Sequence, residues 1–504
     1  MSATSGAATP QGKAAVEREA LHQAAEGSWP VLPGERNWGL VGVFAVTISA
    51  GIAAWSYSIG GAVSWYLTAG LGTIAMLAGS LVGMYFVTVA AMPVSVKYGI
   101  DTIAACKPQY GTKGSIFGIV AQYASIVGWN CILIILFGRA AANVLNAGGV
   151  IGDDWVYRVS VIVSLATIAY VFYLVLGGAD SVRNNSIWIA VAVVIAGLIV
   201  LFRLLTQVGW ETIAAGKPAY ASGDLHLDYT LGFEILVATV LSWWPYMGGI
   251  MRMSKSVKQA LLPSMICLGL ITGVIGLIGL YAGLATGNPD PSISFVKVTG
   301  LWMGIVAVVF IALANIGTAI VGVYATGIGL KQIPALQYRL TWLWTTVIVL
   351  APVALIAAFV PNWFMDHSLT YMYFLGLVFA PICGIQITDY YFFRRKRLDM
   401  VSLFDYSSAS RYNFWGGFNP AAFIATAVGC VFYWYLLDPV TYVSHNTGLF
   451  KWISASVPSL LAAAVVYAVI TAVVVKPLHK GGYDLSQRSA ETTMASAEPA
   501  GPAA

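Results

Sequence analysis

Apolar residues in this chain neither alternate at period two nor form the narrow stripe of a surface helix. They run on for about 20 residues at a time and then stop at charges or at Pro, Gly and Asn. A run of that length, coiled as an α-helix rising about 1.5 Å per residue, matches the hydrocarbon thickness of a bilayer. Reading runs against breaks predicts twelve spans, at residues 38–64, 68–92, 115–145, 157–177, 185–205, 230–251, 260–285, 301–328, 340–360, 368–391, 420–436 and 454–475. The third is longer than a perpendicular helix needs and is expected to tilt or to project beyond the lipid. Unbroken runs exclude a transmembrane β-barrel, whose strands alternate lipid-facing and lumen-facing side chains.

Composition agrees. Of 504 residues, 59% are apolar and 9% charged, against about 25% charged in a soluble domain. Mean hydropathy is +0.78. The pattern thus predicts an all-α polytopic membrane protein, in which each span satisfies its own backbone. Residues 1–36 are polar and lack the apolar core and cleavage site of a secretory signal, so span one is expected to be retained. The expected organisation is a tail at 1–36, a ten-helix core at 37–391, a basic loop at 392–419, spans eleven and twelve at 420–477, and a disordered tail at 478–504.

The 26 basic and 21 acidic residues give a net charge of +5, but their placement reads as topology rather than as an anionic partner. With the N-terminus inside, only Arg139, Arg158, Arg203, Lys217, Lys297 and Lys451 of the 26 bases fall outside. The densest group, Arg394-Arg395-Lys396-Arg397, falls inside. Both termini are therefore expected to be cytoplasmic, in a plasma (inner) membrane. No basic face with interleaved aromatics points to nucleic acid. The five cysteines form no CxxC pair and read as small buried apolar residues.

Two spans look broken. Span one carries small residues from Ser49 to Gly61, and span six carries Trp243-Trp244-Pro245-Tyr246-Met247-Gly248-Gly249. Pro245 lacks an amide hydrogen and two glycines follow, which predicts unwinding there. Trp55 and Trp243 each stand five residues before a Gly-Gly pair, and Gly118-Ile119-Val120-Ala121 of span three recurs as Gly304-Ile305-Val306-Ala307 of span eight. These echoes predict a five-plus-five inverted repeat with discontinuous helices 1 and 6, an arrangement that places a transporter's site at mid-membrane. Around it would lie Trp55 and Tyr57, then Gln122, Trp129 and Asn130, then Trp243, Trp244 and Tyr246, then Asn315 and Thr318. Indole faces stack on a planar ring and amides read its edge, so the set suits a small heterocycle. Backbone groups freed at the breaks can hold substrate or cation. Interfacial anchoring and ordinary core packing account for most of the 17 Trp and 26 Tyr.

Ionisable residues in the spans are scarce. Asp389 is followed by four bases and reads as a structural ion pair, while Glu234 is expected to face water or the pore mouth. Walker A, dinucleotide, HExxH and GxSxG patterns are absent, so no enzyme is signalled and no cofactor is expected.

Several motifs occur in a particular order. They are Pro33-Gly34-Glu35-Arg36-Asn37-Trp38-Gly39, Tyr110-Gly111-Thr112-Lys113-Gly114, Gly128-Trp129, Arg252-Met253-Ser254-Lys255-Ser256, Asp389-Tyr390-Tyr391-Phe392-Phe393-Arg394-Arg395 and Gly416-Gly417-Phe418-Asn419-Pro420. In that order they resemble the nucleobase:cation symporter-1 family, which includes cytosine, purine, uracil, allantoin and hydantoin permeases. The resemblance covers about residues 33–475. It implies twelve helices, ten of them an inverted repeat, and a heterocycle held between Trp129 and either Trp243 or Trp244. It matches Asn315 to a family asparagine, but puts Ala319 and Leu133 where the family has amides, so Asn130 would have to turn inward to compensate. Sodium-coupled members use span-one carbonyls, here near Ala50 and Ala53, with hydroxyls at positions that read Leu313 and Ala314; Thr318 is the nearest substitute. The family's Asn-x-x-Asp after helix six reads Tyr246-Met247-Gly248-Gly249. A divergent substrate or coupling ion is expected, with sodium and proton both open.

The leading expectation is a secondary active importer of a nucleobase or related heterocycle, driven by a cation gradient. A symporter of amino acids or other amines on the same fold, a passive facilitator or channel, and a non-transporting sensor are the alternatives. Substrate, stoichiometry and oligomeric state are not legible.

Overall fold

The computed structural model describes residues 27–176 and 197–483, with 188, 191, 194 and 195 between them. The expected tails, over 1–26 and 484–504, and the first part of span five lie outside the described residues. Regular structure within them is helical, apart from isolated bridges such as Trp38 with Ser254. The chain runs α1 (Leu40–Gly51), α2 (Ala54–Val63), α3 (Ala69–Tyr98), α4 (Thr102–Tyr110), α5 (Ile116–Ala147), α6 (Asp153–Val175) and α7 (Gly197–Val208). It continues as α8 (Leu225–Leu241), α9 (Trp244–Met251), α10 (Val257–Thr286), α11 (Pro291–Thr299) and α12 (Leu301–Leu330). The remaining principal helices are α13 (Trp342–Phe359), α14 (Ser368–Phe393), α15 (Pro420–Leu436) and α16 (Ser456–Val475).

Among the described residues, seven helices are long and apolar enough to cross a bilayer unaided: α3, α5, α6, α10, α13, α14 and α16. Two bent pairs, α1 with α2 at 53° and α8 with α9 at 41°, are long and apolar enough when each pair is taken together. The protein is an all-α polytopic membrane protein with discontinuous helices. At 32 residues, α5 is about 48 Å long, well beyond the roughly 30 Å of hydrocarbon.

The first break spans Ile52 and Ala53, both extended. Carbonyls freed there are taken by hydroxyls. Ser56 and Thr272 donate to Gly51 O at 3.1 and 3.3 Å, and Thr318 donates to Ala50 O at 2.9 Å. Opposite this break, α10 itself loosens into a π-helical stretch at Ser264–Ile271, a distortion often found at functional sites. The second break is narrower than the sequence predicts. Only Ser242 and Trp243 leave the helix, and Pro245 opens α9, where a missing amide hydrogen costs nothing. Gly248 and Gly249 stay helical. A Cβ on Gly248 would stand 2.0 Å from Thr102 N, so this glycine serves close contact with α4 rather than unwinding.

Glu234 corrects another expectation. It does not face water; it is fully buried on α8 beneath the start of α16. It accepts from Tyr433 OH at 3.0 Å, from the backbone N–H groups of Ala455 and Ser456 at 3.2 and 3.1 Å, and from the hydroxyls of Ser454 and Ser456. A carboxylate so surrounded is an anchor for the α15–α16 hairpin.

The face carrying the basic loops is laced shut. Asp389 pairs with Arg394 at 2.5 Å, both buried, and accepts from Gln109, Tyr467 and Tyr483. The Arg394 guanidinium also reaches Pro108 O and Gly481 O. Nearby, Lys107 Nζ donates to Gln332 Oε1 at 2.8 Å and Tyr406 OH at 2.6 Å, while Gln332 Nε2 holds Asp101 and the Ser28 carbonyl.

Candidate functional site

Between the two breaks and the middles of α5 and α12 lies a buried chamber lined by Trp55, Trp129, Leu133, Ser242, Trp243, Tyr246 and Thr318. Each break delivers one indole: Trp55 lies in the first turn of α2, and Trp243 sits in the gap between α8 and α9. Trp129 comes from the centre of α5, and its indole N–H donates to Ser242 Oγ at 2.9 Å, which fixes the plane of the ring. Ser242 in turn donates to Thr239 O at 2.5 Å, so the hydroxyl that ends α8 also orients the tryptophan.

Trp55 is wedged between the other two indoles, with ring centroids 5.4 Å from Trp129 and 6.0 Å from Trp243. Tyr246 lies 4.9 Å from Trp243. The free space left is only about 10 Å³, roughly one water molecule. The rings therefore pack against each other and fill most of the space between the two breaks. A second cavity of about 180 Å³ includes Ser58, Leu136, Arg139 and Asp366 in its lining. Ser58 and Leu136 each follow a chamber residue, Trp55 or Leu133, by three positions on the same helix, so this vestibule lies one helical turn from the chamber. It is on the side away from the basic loops.

The other residues singled out from sequence are buried but outside the chamber lining. Trp244 turns toward α14, donating to Gln386 Oε1 at 2.7 Å. Tyr57 packs edge-on against Phe295 of α11. Gln122 donates to Pro245 O at 2.8 Å, tying α5 to the second break. Asn130 donates to Ile126 O of its own helix at 2.8 Å and does not turn inward. Asn315 donates to Leu133 O at 2.8 Å, joining α12 to α5. Ala50 and Ala53 flank the first break; the Ala50 carbonyl accepts from Thr318, and Ala53 O accepts from the Ser56 N–H at 3.1 Å. Sequence reading missed Ser242 and Tyr371. Tyr371, from α14, packs edge-on against Trp129 with its hydroxyl on Ser125 O. A lone serine before a Trp-Trp-Pro run carried the only advance signal for Ser242.

Two broken helices closing over a buried, ring-lined chamber with a vestibule on one side and a sealed face on the other define a secondary transporter. The family described as permease for cytosine/purines, uracil, thiamine, allantoin matches residues 30–475. The chain belongs to this permease family; it carries a small nucleobase-like solute and is not an enzyme. It is 24% identical over 369 residues to cytosine permease of Escherichia coli K12, covering 70% of this chain and 79% of that one. It is 38% identical over 82 residues to allantoin permease of Bacillus subtilis 168, a stretch that spans only 16% of either chain. Mhp1, a nucleobase-cation-symport-1 family transporter solved in a closed conformation with bromovinylhydantoin bound, superposes with a TM-score of 0.70 at 17% identity. That superposition covers 89% of this chain and 95% of Mhp1. A Na+-coupled sialic acid symporter shares the fold at a TM-score of 0.61 and 11% identity, covering 91% and 97% of the two chains.

Proposed function

We propose that the protein imports a nucleobase or related planar heterocycle across the plasma membrane, coupled to an inward cation gradient, and that its guest stacks in the chamber of Trp55, Trp129 and Trp243. The observation that carries this reading is the convergence of three indoles from α2, α5 and the α8–α9 gap on one small space. Trp129 and Trp243 are the two faces of the slot, and Trp55 occupies it until a ring displaces it. Ser242 and Thr318 are the polar groups in reach of the edge. Asn130, Asn315, Gln122, Tyr57 and Trp244 support the walls through the contacts described above.

Twelve spans in a five-plus-five repeat, with both termini cytoplasmic, belong to the same proposal. The seven single rods, the two bent pairs and the shorter apolar helices α7, Ala314–Leu330 and α15 support that number. The twenty-to-six division of bases supports the orientation.

Sodium fits the first break poorly. It takes oxygen ligands in place of its hydration shell, yet the Ala50 and Gly51 carbonyls already accept from Thr318, Ser56 and Thr272. Leu313 and Ala314 offer no side-chain oxygen. Uptake is therefore expected to respond more to an imposed pH gradient than to sodium.

The test is accumulation in proteoliposomes of cytosine, uracil, adenine, hypoxanthine, allantoin, hydantoins and amino acids, with each gradient imposed in turn. Concentrative uptake of a heterocycle supports the proposal. Uptake confined to amino acids replaces it with the amine symporter, and equilibration without accumulation replaces it with a facilitator.

A further inference from the structure

A third cavity, of about 430 Å³, opens on the basic-loop face, away from the tryptophans. Four separate stretches of chain build it. Arg36 precedes α1, Pro93, Val96 and Lys97 lie at the end of α3, Lys255 lies just before Val257 opens α10, and Tyr391 lies in the last turn of α14 with Lys396 just beyond it. Its lining carries four cations and no carboxylate. Among the described residues none of the four pairs with an acid, and the Lys255 and Lys396 ammonium groups have no hydrogen-bond acceptor. Lys97 donates to the Lys396 carbonyl at 2.6 Å, and the Lys396 ammonium lies 5.3 Å from the Tyr391 ring, so the two ends of α3 and α14 are drawn together despite their like charge. Gathering four cations around one hollow costs energy unless an anion sits among them.

The surroundings say which anion. Beside the cavity, α10 presents Leu261 and Leu262, α14 presents Phe392 at 74% exposure, and α3 presents Tyr85. On membrane-spanning helices such exposed apolar side chains suit contact with lipid, and together they would give an apolar lane leading from the cavity along α3. A cationic hollow at the mouth of such a lane fits a phosphate headgroup with its acyl chains laid alongside. A free phosphate would have no use for the lane.

We propose that this cavity is a specific site for an anionic phospholipid, whose phosphate is held by Arg36, Lys97, Lys255 and Lys396 and bridges the approach to α1 with the ends of α3, α10 and α14. The site is independent of which solute the chamber carries.

Native mass spectrometry and thermal melting of the full-length protein in detergent, titrated with diphosphatidylglycerol, phosphatidylcholine or inorganic pyrophosphate, test it. Diphosphatidylglycerol is expected to bind at one site and raise the melting temperature, whereas phosphatidylcholine and pyrophosphate do not. The triple variant Lys97→Ser, Lys255→Ser, Lys396→Ser should lose roughly a hundredfold in apparent affinity for that lipid. The matching triple replacement by arginine should keep it, which separates loss of charge from loss of fold. Undiminished lipid binding by the serine variant overturns the site, and equal stabilisation by pyrophosphate overturns its assignment to lipid.

Discussion

At the scale of single residues, neighbours in sequence have opposite duties. Trp243 faces the chamber and Trp244 faces Gln386, because one residue along a helix turns the side chain by about 100°. Trp244→Phe leaves the Gln386 oxygen without its donor, and a buried acceptor so orphaned costs about 1–3 kcal/mol. The variant should melt earlier while the apparent affinity for substrate stays unchanged. Trp129→Ala removes one face of the proposed slot, an effect worth about tenfold in affinity. Its uptake should fall and its apparent binding constant rise while the protein stays folded; unchanged kinetics would take Trp129 out of the site. How much of this was legible follows from the same geometry. Trp55, Trp129 and Thr318 were marked by residue type in a broken or glycine-flanked setting. The turn of Asn130 back onto Ile126 and of Asn315 onto Leu133 depends on neighbours distant in sequence.

Among elements, the decisive contact is that of α2 with α10. A Cβ on Gly60 would stand 1.8 Å from Gly276 O, and one on Gly279 would stand 1.9 Å from Tyr57 O. Both obstacles are backbone, so neither can swing away. Gly60→Ala and Gly279→Ala should each force the two helices apart, at about 1–3 kcal/mol or more. Loss of thermal stability, together with loss of uptake, is the measured outcome. Of the small residues of span one, Ala53 stands in the break itself, whereas Gly60 serves close packing. Sequence composition cannot tell the two apart, since both need a missing side chain. The α8–α16 contact is the complementary case. Glu234→Leu orphans the Ser454, Ser456, Ala455 and Tyr433 donors together. Because each orphaned group costs about 1–3 kcal/mol, the variant should lose several degrees of melting temperature, and the hairpin α15–α16 should exchange its amide hydrogens faster.

For the molecule as a whole, buried polar contacts tie together the face that carries the basic loops, and one lysine reports on them. Burial pushes Lys107 down from its ordinary 10.5 to about 8, with Asp101 drawing it partly back. Its folded value lies below its unfolded one, so between pH 8 and 10.5 the unfolded chain binds more protons and Lys107 makes folding more favourable as pH rises. The difference in melting temperature between the wild type and Lys107→Met should therefore shift in favour of the wild type across that window. A constant difference would place the ammonium in water. Comparing the two proteins at each pH cancels the ionisation of tyrosines common to both.

What the amino-acid sequence determined alone is what can be counted along one dimension. Run lengths against bilayer thickness marked an all-α polytopic membrane protein, and Pro and Gly marked where helices were weak. Tertiary structure decided everything that depends on rotation about a helix axis. It turned Trp243 rather than Trp244 into the chamber, buried Glu234 under a hairpin more than 200 residues further along the chain, and packed three indoles so closely that only about one water molecule's space is left among them. Periodicity fixes which residues share a face, but only the packing of helices against each other fixes which way that face points.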